Sequence, residues 1–142
     1  MAVYTAPTQT IPPGETAIFN IVEQNPFGPI RHRDNTGTFI LSGKSRCGCK
    51  DPVYIFDFGS NIAVSEGGTA GPISVAITID GATVPDTTMI STPAAVGEFN
   101  NVSVAHELSV FSGCCETIAI RNTSDQSIDM QNGGLIINRK GA

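Results

Sequence analysis

Polar and apolar positions alternate most regularly in Ile73-Ser-Val-Ala-Ile-Thr-Ile-Asp80. Ile73, Val75, Ile77 and Ile79 share one side, and Ser74, Ala76, Thr78 and Asp80 the other. A period of two is that of a strand with one buried face. Asp80-Gly81 then signals a hairpin, because glycine supplies the positive φ of a tight turn. This predicts a short strand around Ala82 to Val84 and another near Met89 to Ser91. The same alternation runs through 53–58, with Tyr54, Phe56 and Phe58 on one face, and through 102–111, with Val102, Val104, His106, Leu108 and Val110 on one face. Shorter β-rich runs predict strands at 16–22, 37–41, 116–122 and 135–139. Residues 24–35, with Asn25-Pro26, Gly28-Pro29 and Asp34-Asn35, read as a long loop or a broken edge strand. Residues 1–13 contain Pro7, Pro12 and Pro13. Proline removes a ladder donor, so this segment is expected to be an extended arm ahead of a single domain over 14–142.

Three of these runs are apolar on both faces: Ala17-Ile-Phe19, Phe39-Ile-Leu41 and Leu135-Ile-Ile137. An antiparallel sandwich ordinarily keeps one side of each sheet wet. The expectation is an outer surface covered by loops or by other subunits, as in an obligate oligomer.

Composition narrows the picture. The 142 residues fit one domain. Ile occurs 16 times, Val 10 and Thr 14, against 3 Leu, and 15 Gly and 9 Pro punctuate short segments. β-branched side chains pack well on a pleated surface, so this is an all-β chain. Hydrophobic residues at 40% and charged residues at 15% exclude wholesale disorder. No apolar run approaches the roughly 18 residues of a membrane helix, and no membrane partner is expected. Met1-Ala-Val-Tyr4 has no basic region followed by an apolar stretch, so no secretory signal peptide is expected. The net charge of −5 opposes nucleic-acid binding through the overall field.

Several stretches together match a known pattern: VYIFDFGSNIAV (53–64), GGTAGPISVAITIDGATVP (67–85), NVSVAHELSVF (101–111), ETIAIRNTS (116–124) and GGLIINRK (133–140). This set resembles the C1q/TNF-like jelly roll, in particular the short bacterial and bacteriophage versions of Firmicutes spore surfaces and virions. The resemblance covers roughly residues 11–140. It implies a two-sheet antiparallel jelly-roll sandwich of ten strands, a homotrimer with apolar and aromatic residues along its axis, and a structural or adhesive role without enzymatic activity. Spore-surface relatives carry collagen-like stalks, and this sequence contains no Gly-X-Y repeat. The resemblance therefore implies a bacteriophage virion protein: a capsid decoration or cement protein, or a head-fibre knob, partnered by the major capsid protein at the virion surface. The alternative is a receptor-binding tip, or an adhesin at a bacterial cell or spore surface, recognising a glycan or protein. Tyr54, Phe56, Phe58, His106, Leu135 and Ile137 are the candidates for trimer or core packing.

Chemistry-bearing residues are few. Cys47, Cys49, Cys114 and Cys115 form two tight pairs, one on each side of an expected run of four strands (53–58, 73–80, about 82–91, and 102–111). An even number of up-and-down strands returns the chain to the same end, so the four sulfurs are expected to gather there. Two disulfides would each contribute about 2–4 kcal/mol and suit an extracellular particle. A structural zinc or iron site is one alternative, although the spacing is not C-x2-C, and free thiols are the other. Otherwise no cofactor is expected. His106 sits on an apolar face, and His32 in a loop, with no nucleophile or carboxylate set beside either by spacing. Asp34, Asp51, Asp57, Asp80 and Asp86 form no D-x-D-x-D-G calcium loop. Arg31, Arg33, Lys44, Arg46 and Lys50 concentrate positive charge in 31–50 against Asp34 alone, whereas 51–142 carries ten acids and three bases. These bases are candidates for docking on an acidic neighbour. With Phe39 as the one aromatic in that segment, base stacking is not expected.

Overall fold

The computed structural model describes residues 1–43, 51–110 and 115–140. In chain order the strands are β1 (Ala2–Ala6), β2 (Gln9–Ile11), β3 (Asn20–Glu23), β4 (Ile30–His32), β5 (Phe39–Leu41), β6 (Val53–Val64), β7 (Ile73–Ile79), β8 (Ala82–Thr83), β9 (Met89–Ser91), β10 (Asn100–Ser109), β11 (Glu116–Asn122) and β12 (Ile128–Lys140). A 3-10 turn at Pro85–Thr87 is the one helical element among the described residues. Every pairing is antiparallel. The front sheet has the order β10-β6-β12-β1-β3, with β2 also on β12; the back sheet has the order β4-β5-β11-β7-β8, with β9 also on β7. The fold is a two-sheet jelly-roll sandwich.

The core lies between the sheets. Tyr54, Phe56 and Phe58 of β6 and Leu135 and Ile137 of β12 face Phe39, Leu41, Val75, Ile77, Ile118 and Ile120 of the back sheet, all buried. Tyr4 reaches across from β1 to Phe39 with ring centroids 4.7 Å apart, edge to face. Alternation accounts for the triplets that are apolar throughout. Their middle residues Ile18, Ile40 and Ile136 point outward and are about two-fifths exposed (41%, 41% and 39%), while their flanks are buried.

The expected arm is instead part of the front sheet. Ala2 to Ala6 pair with Ile137 to Gly133, and Gln9 to Ile11 with Met130 to Ile128. The prolines do not interrupt the ladder: Pro7 follows β1, and Pro12-Pro13 follow β2. The break between β1 and β2 faces a bulge in β12 between Gln131 and Gly134, where Asn132 takes φ 55°. Gly133 is required there, because a Cβ would lie 2.7 Å from the Ala6 Cβ.

Segment 16–22 is a corner rather than one strand. Thr16 bridges Arg121 in the back sheet, and Ala17 N donates to Ile120 O at 2.8 Å. By Asn20 the chain has crossed to pair with β1 in the front sheet. Within 24–35 the edge-strand alternative is what forms, as β4.

Candidate functional site

The two cysteine segments are flanked by strand ends that meet. Glu116 pairs with Leu41, Ser109 pairs with Val53, and Val110 N donates to Pro52 O at 2.9 Å. The count of four strands holds because β8 and β9 are two pieces of one run along β7, divided by the 3-10 turn. Cys115 is disulfide-bonded. Cys47, Cys49 and Cys114, with Lys44, Arg46 and Lys50, lie outside the described residues. Among the described residues no group of three or more His, Cys, Asp or Glu could hold a metal ion.

Of the trimer-or-core candidates, Tyr54, Phe56, Phe58, Leu135 and Ile137 are core, between 0% and 3% exposed. His106 is half-buried on the edge strand β10, its Nδ1 3.9 Å from Asp86 Oδ2. Burial pushes the Tyr4 phenol well above the ordinary tyrosine range. It also raises that of Tyr54, against the opposing pull of Arg139, whose guanidinium sits 6.0 Å from the Tyr54 ring. Tyr4 and Tyr54 donate to Gln24 Oε1 and Ser42 O, both at 2.7 Å. Glu116 is raised by burial and by the neighbouring Asp80, whose Oδ1 accepts from Thr117 N at 2.8 Å. Asn122, one of two glycosylation sequons, is buried and spends its amide on Ile11 O and Gln126 O, both at 2.9 Å. Asn101, the other, is exposed.

His32 is a buried residue of β4, not a loop residue. Its Nδ1 lies 3.0 Å from Thr38 O and its Nε2 2.9 Å from Phe19 O, and its ring stacks on Phe39 at 4.2 Å. Both nitrogens are occupied by backbone, so the ring fastens β4 to the corner segment and is not presented to a substrate.

Two surface features were not anticipated. The first is a hollow of about 700 Å³ on the outer side of the front sheet. Register explains it. One row across the sheet reads Ala105, Asp57, Ile136, Val3, and the next reads Ser103, Gly59, Gly134, Thr5. Gly59 and Gly134 face each other, so two side chains are missing from the middle of a regular sheet. Neither glycine has a positive φ. A Cβ on Gly59 would meet nothing nearer than 3.9 Å, and one on Gly134 nothing nearer than 4.0 Å. Glycine weakens a strand and often marks a site where another chain or ligand approaches closely. The sequence signal was the break in alternation at Gly59.

The second is a cleft of about 600 Å³ beside β4, bordered by Gln24, Pro26, Arg31, Arg33, Thr38 and Ile40 among others. It holds the described part of the predicted basic segment.

Compared by sequence, the chain matches no family model and no curated protein. Compared by structure, it is similar to the globular domain of zebrafish complement 1qA, with TM-score 0.60 and 11% identity over 96% of both chains. It is also similar to murine APRIL in crystals at pH 8.0 and pH 5.0, with TM-scores 0.53 and 0.54 and 10% and 11% identity, over 94% of this chain and 97% of the other. These likenesses establish the C1q/TNF-like jelly-roll fold.

Proposed function

We propose that the protein is a non-enzymatic structural module that works as a homotrimer on the surface of a bacteriophage virion, decorating or cementing the capsid beside the major capsid protein or forming a head-fibre knob. The observation that carries self-assembly is the hollow at Gly59 and Gly134. It is a vacancy next to the β12 bulge, where neither glycine is needed to avoid a Cβ clash, set beside Val3 and the exposed Ile136. An apolar concavity of this kind is suited to a close-fitting neighbour. The virion setting is supported by the resemblance of 53–85 and 101–140 to short phage jelly rolls, and by the disulfide at Cys115, which suits a particle outside the reducing cytosol. A glycan-reading tip is less well supported, since the chain has no Trp and both tyrosines are 0% exposed.

The test is native mass spectrometry of the wild type and of Gly59→Val. Wild type is expected at three times the 14.8 kDa chain mass. Gly59→Val should keep a folded protomer, because valine favours strands and space exists for it, yet lose the trimer. A wild-type monomer overturns the reading, as does a Gly59→Val variant that still forms trimers. Copy number in purified particles separates decoration, at many copies, from a receptor-binding tip at few.

A further inference from the structure

From the β4 cleft we infer that this edge of the sandwich is a docking site for an extended acidic peptide segment of another protein, held by carboxylate contacts to Arg31 and Arg33. Arg31 Nε donates to Gly28 O at 3.2 Å. That bond orients the guanidinium and leaves its two terminal nitrogens without a hydrogen-bond partner among the described residues. A guanidinium held in this way is a preformed fork for a carboxylate. Arg33 lies two positions on, just past the end of β4, and borders the same cleft. Neither arginine has a carboxylate within ion-pair distance among the described residues, where the ion pairs are His106 with Asp86 and Lys140 with Glu107. In a chain of net charge −5 with thirteen acids, two adjacent unpaired arginines repel each other and attract an outside anion.

The rest of the cleft fits a peptide. β4 pairs with β5 alone among the described residues, so its other side is a sheet edge, where the Gln24 amide donates to His32 O at 3.4 Å and an extended segment would take that place. Pro26 and the 41% exposed Ile40 line the cleft, and Phe27, at 91% exposed, follows Pro26 in the connecting loop. These are apolar seats for alternate side chains, with Thr36 and Thr38 between them. A sulfated sugar would use the arginines but leave the apolar seats empty. The inference concerns a surface distinct from the front-sheet hollow and stands whether or not the protein is a trimer.

The experiment titrates the full-length protein into a fluorescein-labelled peptide of alternating glutamate and leucine at low salt, following anisotropy. Native mass is recorded on the same samples, so a failure of assembly and a failure of docking are read separately. Saturable binding below about 1 mM is expected. Arg31→Gln/Arg33→Gln should weaken it about tenfold or more, and Arg31→Lys several-fold, because lysine keeps the charge and loses the fork. Both arginines are exposed, so the variants should keep the wild-type melting curve. Amide shifts on binding should centre on Gln24, Thr38 and Ile40. The inference is overturned by no saturable binding, by equal affinity of the double variant, or by displacement of the peptide by an equal concentration of inorganic sulfate or of a sulfated oligosaccharide.

Discussion

The strands β4 and β10 both end a sheet, and they end it in opposite ways. β4 is three residues long, buries Ile30 and His32, and turns Arg31 outward with Arg33 just beyond it. β10 is ten residues long, and its inward residues Val104, His106 and Leu108 are only half-buried. Shortness and charge are what keep a sheet edge from pairing with arbitrary chains. The β4 edge has both and is open only to a partner that answers its charge. The β10 edge is long, carries Glu107 as its one acidic charge, already paired with Lys140, and borders the glycine hollow, which is where the proposed assembly would cover its apolar surface. One hydrophobic core is thus bounded by a short, charged edge and by a long, half-buried one.

The sharpest way to break this contrast is to truncate leucine in two settings. Leu135→Ala, at 1% exposure, should cost about 2–5 kcal/mol in urea unfolding. Leu108→Ala should cost about 1 kcal/mol in a protomer, since part of the side chain is already wet. If a neighbour covers β10, the second cost rises toward the first in the assembled protein; equal costs in an isolated protomer would refute the half-buried description. Next in size, His32→Phe keeps the stacked ring volume but removes the ring nitrogens that lie 3.0 Å from Thr38 O and 2.9 Å from Phe19 O. It should lower stability by about 1–3 kcal/mol, with amide exchange accelerated first in β4 and 33–38. Smallest at ordinary pH is the effect of the buried phenols. Tyr4 and Tyr54 have folded pKa values above the unfolded one near 10. Their neutral forms are favoured in the fold, so nothing is lost below pH 10. Above it stability falls, by at most about 1.4 kcal/mol per pH unit for each phenol. Melting temperatures across pH 8 to 11, with phenolate absorbance followed in parallel, should show ionisation and unfolding together.

Much of the architecture was legible because period two survives wherever one face is buried. Tyr54, Phe56 and Phe58 alternate into the core as read, and the Asp80-Gly81 hairpin lies where the turn chemistry put it, with Asp80 at φ 50° and Gly81 at φ 86°. The first thirteen residues read as an arm because of their prolines, but proline breaks a strand only when it falls within one; here each proline stands just past a strand end. Segment 16–22 reads as a strand because it is a β-rich run, but Ala17 and Phe19 are buried by a corner that touches both sheets, with Ile18 and Val22 exposed. His32 carried no local signal, since what makes it structural is the pair of carbonyls brought to it from Phe19 and Thr38. The hollow was illegible for a related reason: Gly59 and Gly134 are 75 positions apart, and only the β6–β12 register sets them opposite each other.

The pairing of the chain's beginning with its end also sets an order of events in synthesis. β12 carries β1, β2 and β6 as ladder partners, and Ala2 lies opposite Ile137. On the ribosome β1 can therefore pair early with β3 alone, while β2 has no strand to join until residues 128–130 have emerged. The β7 hairpin and its pairing with β11 involve shorter separations and can close earlier. The front sheet is completed last, in one step, when β12 arrives. A chain interrupted before residue 128 would leave β2 bare and β1 and β6 each paired on one side only, which makes the nascent front sheet a stage of folding exposed to aggregation.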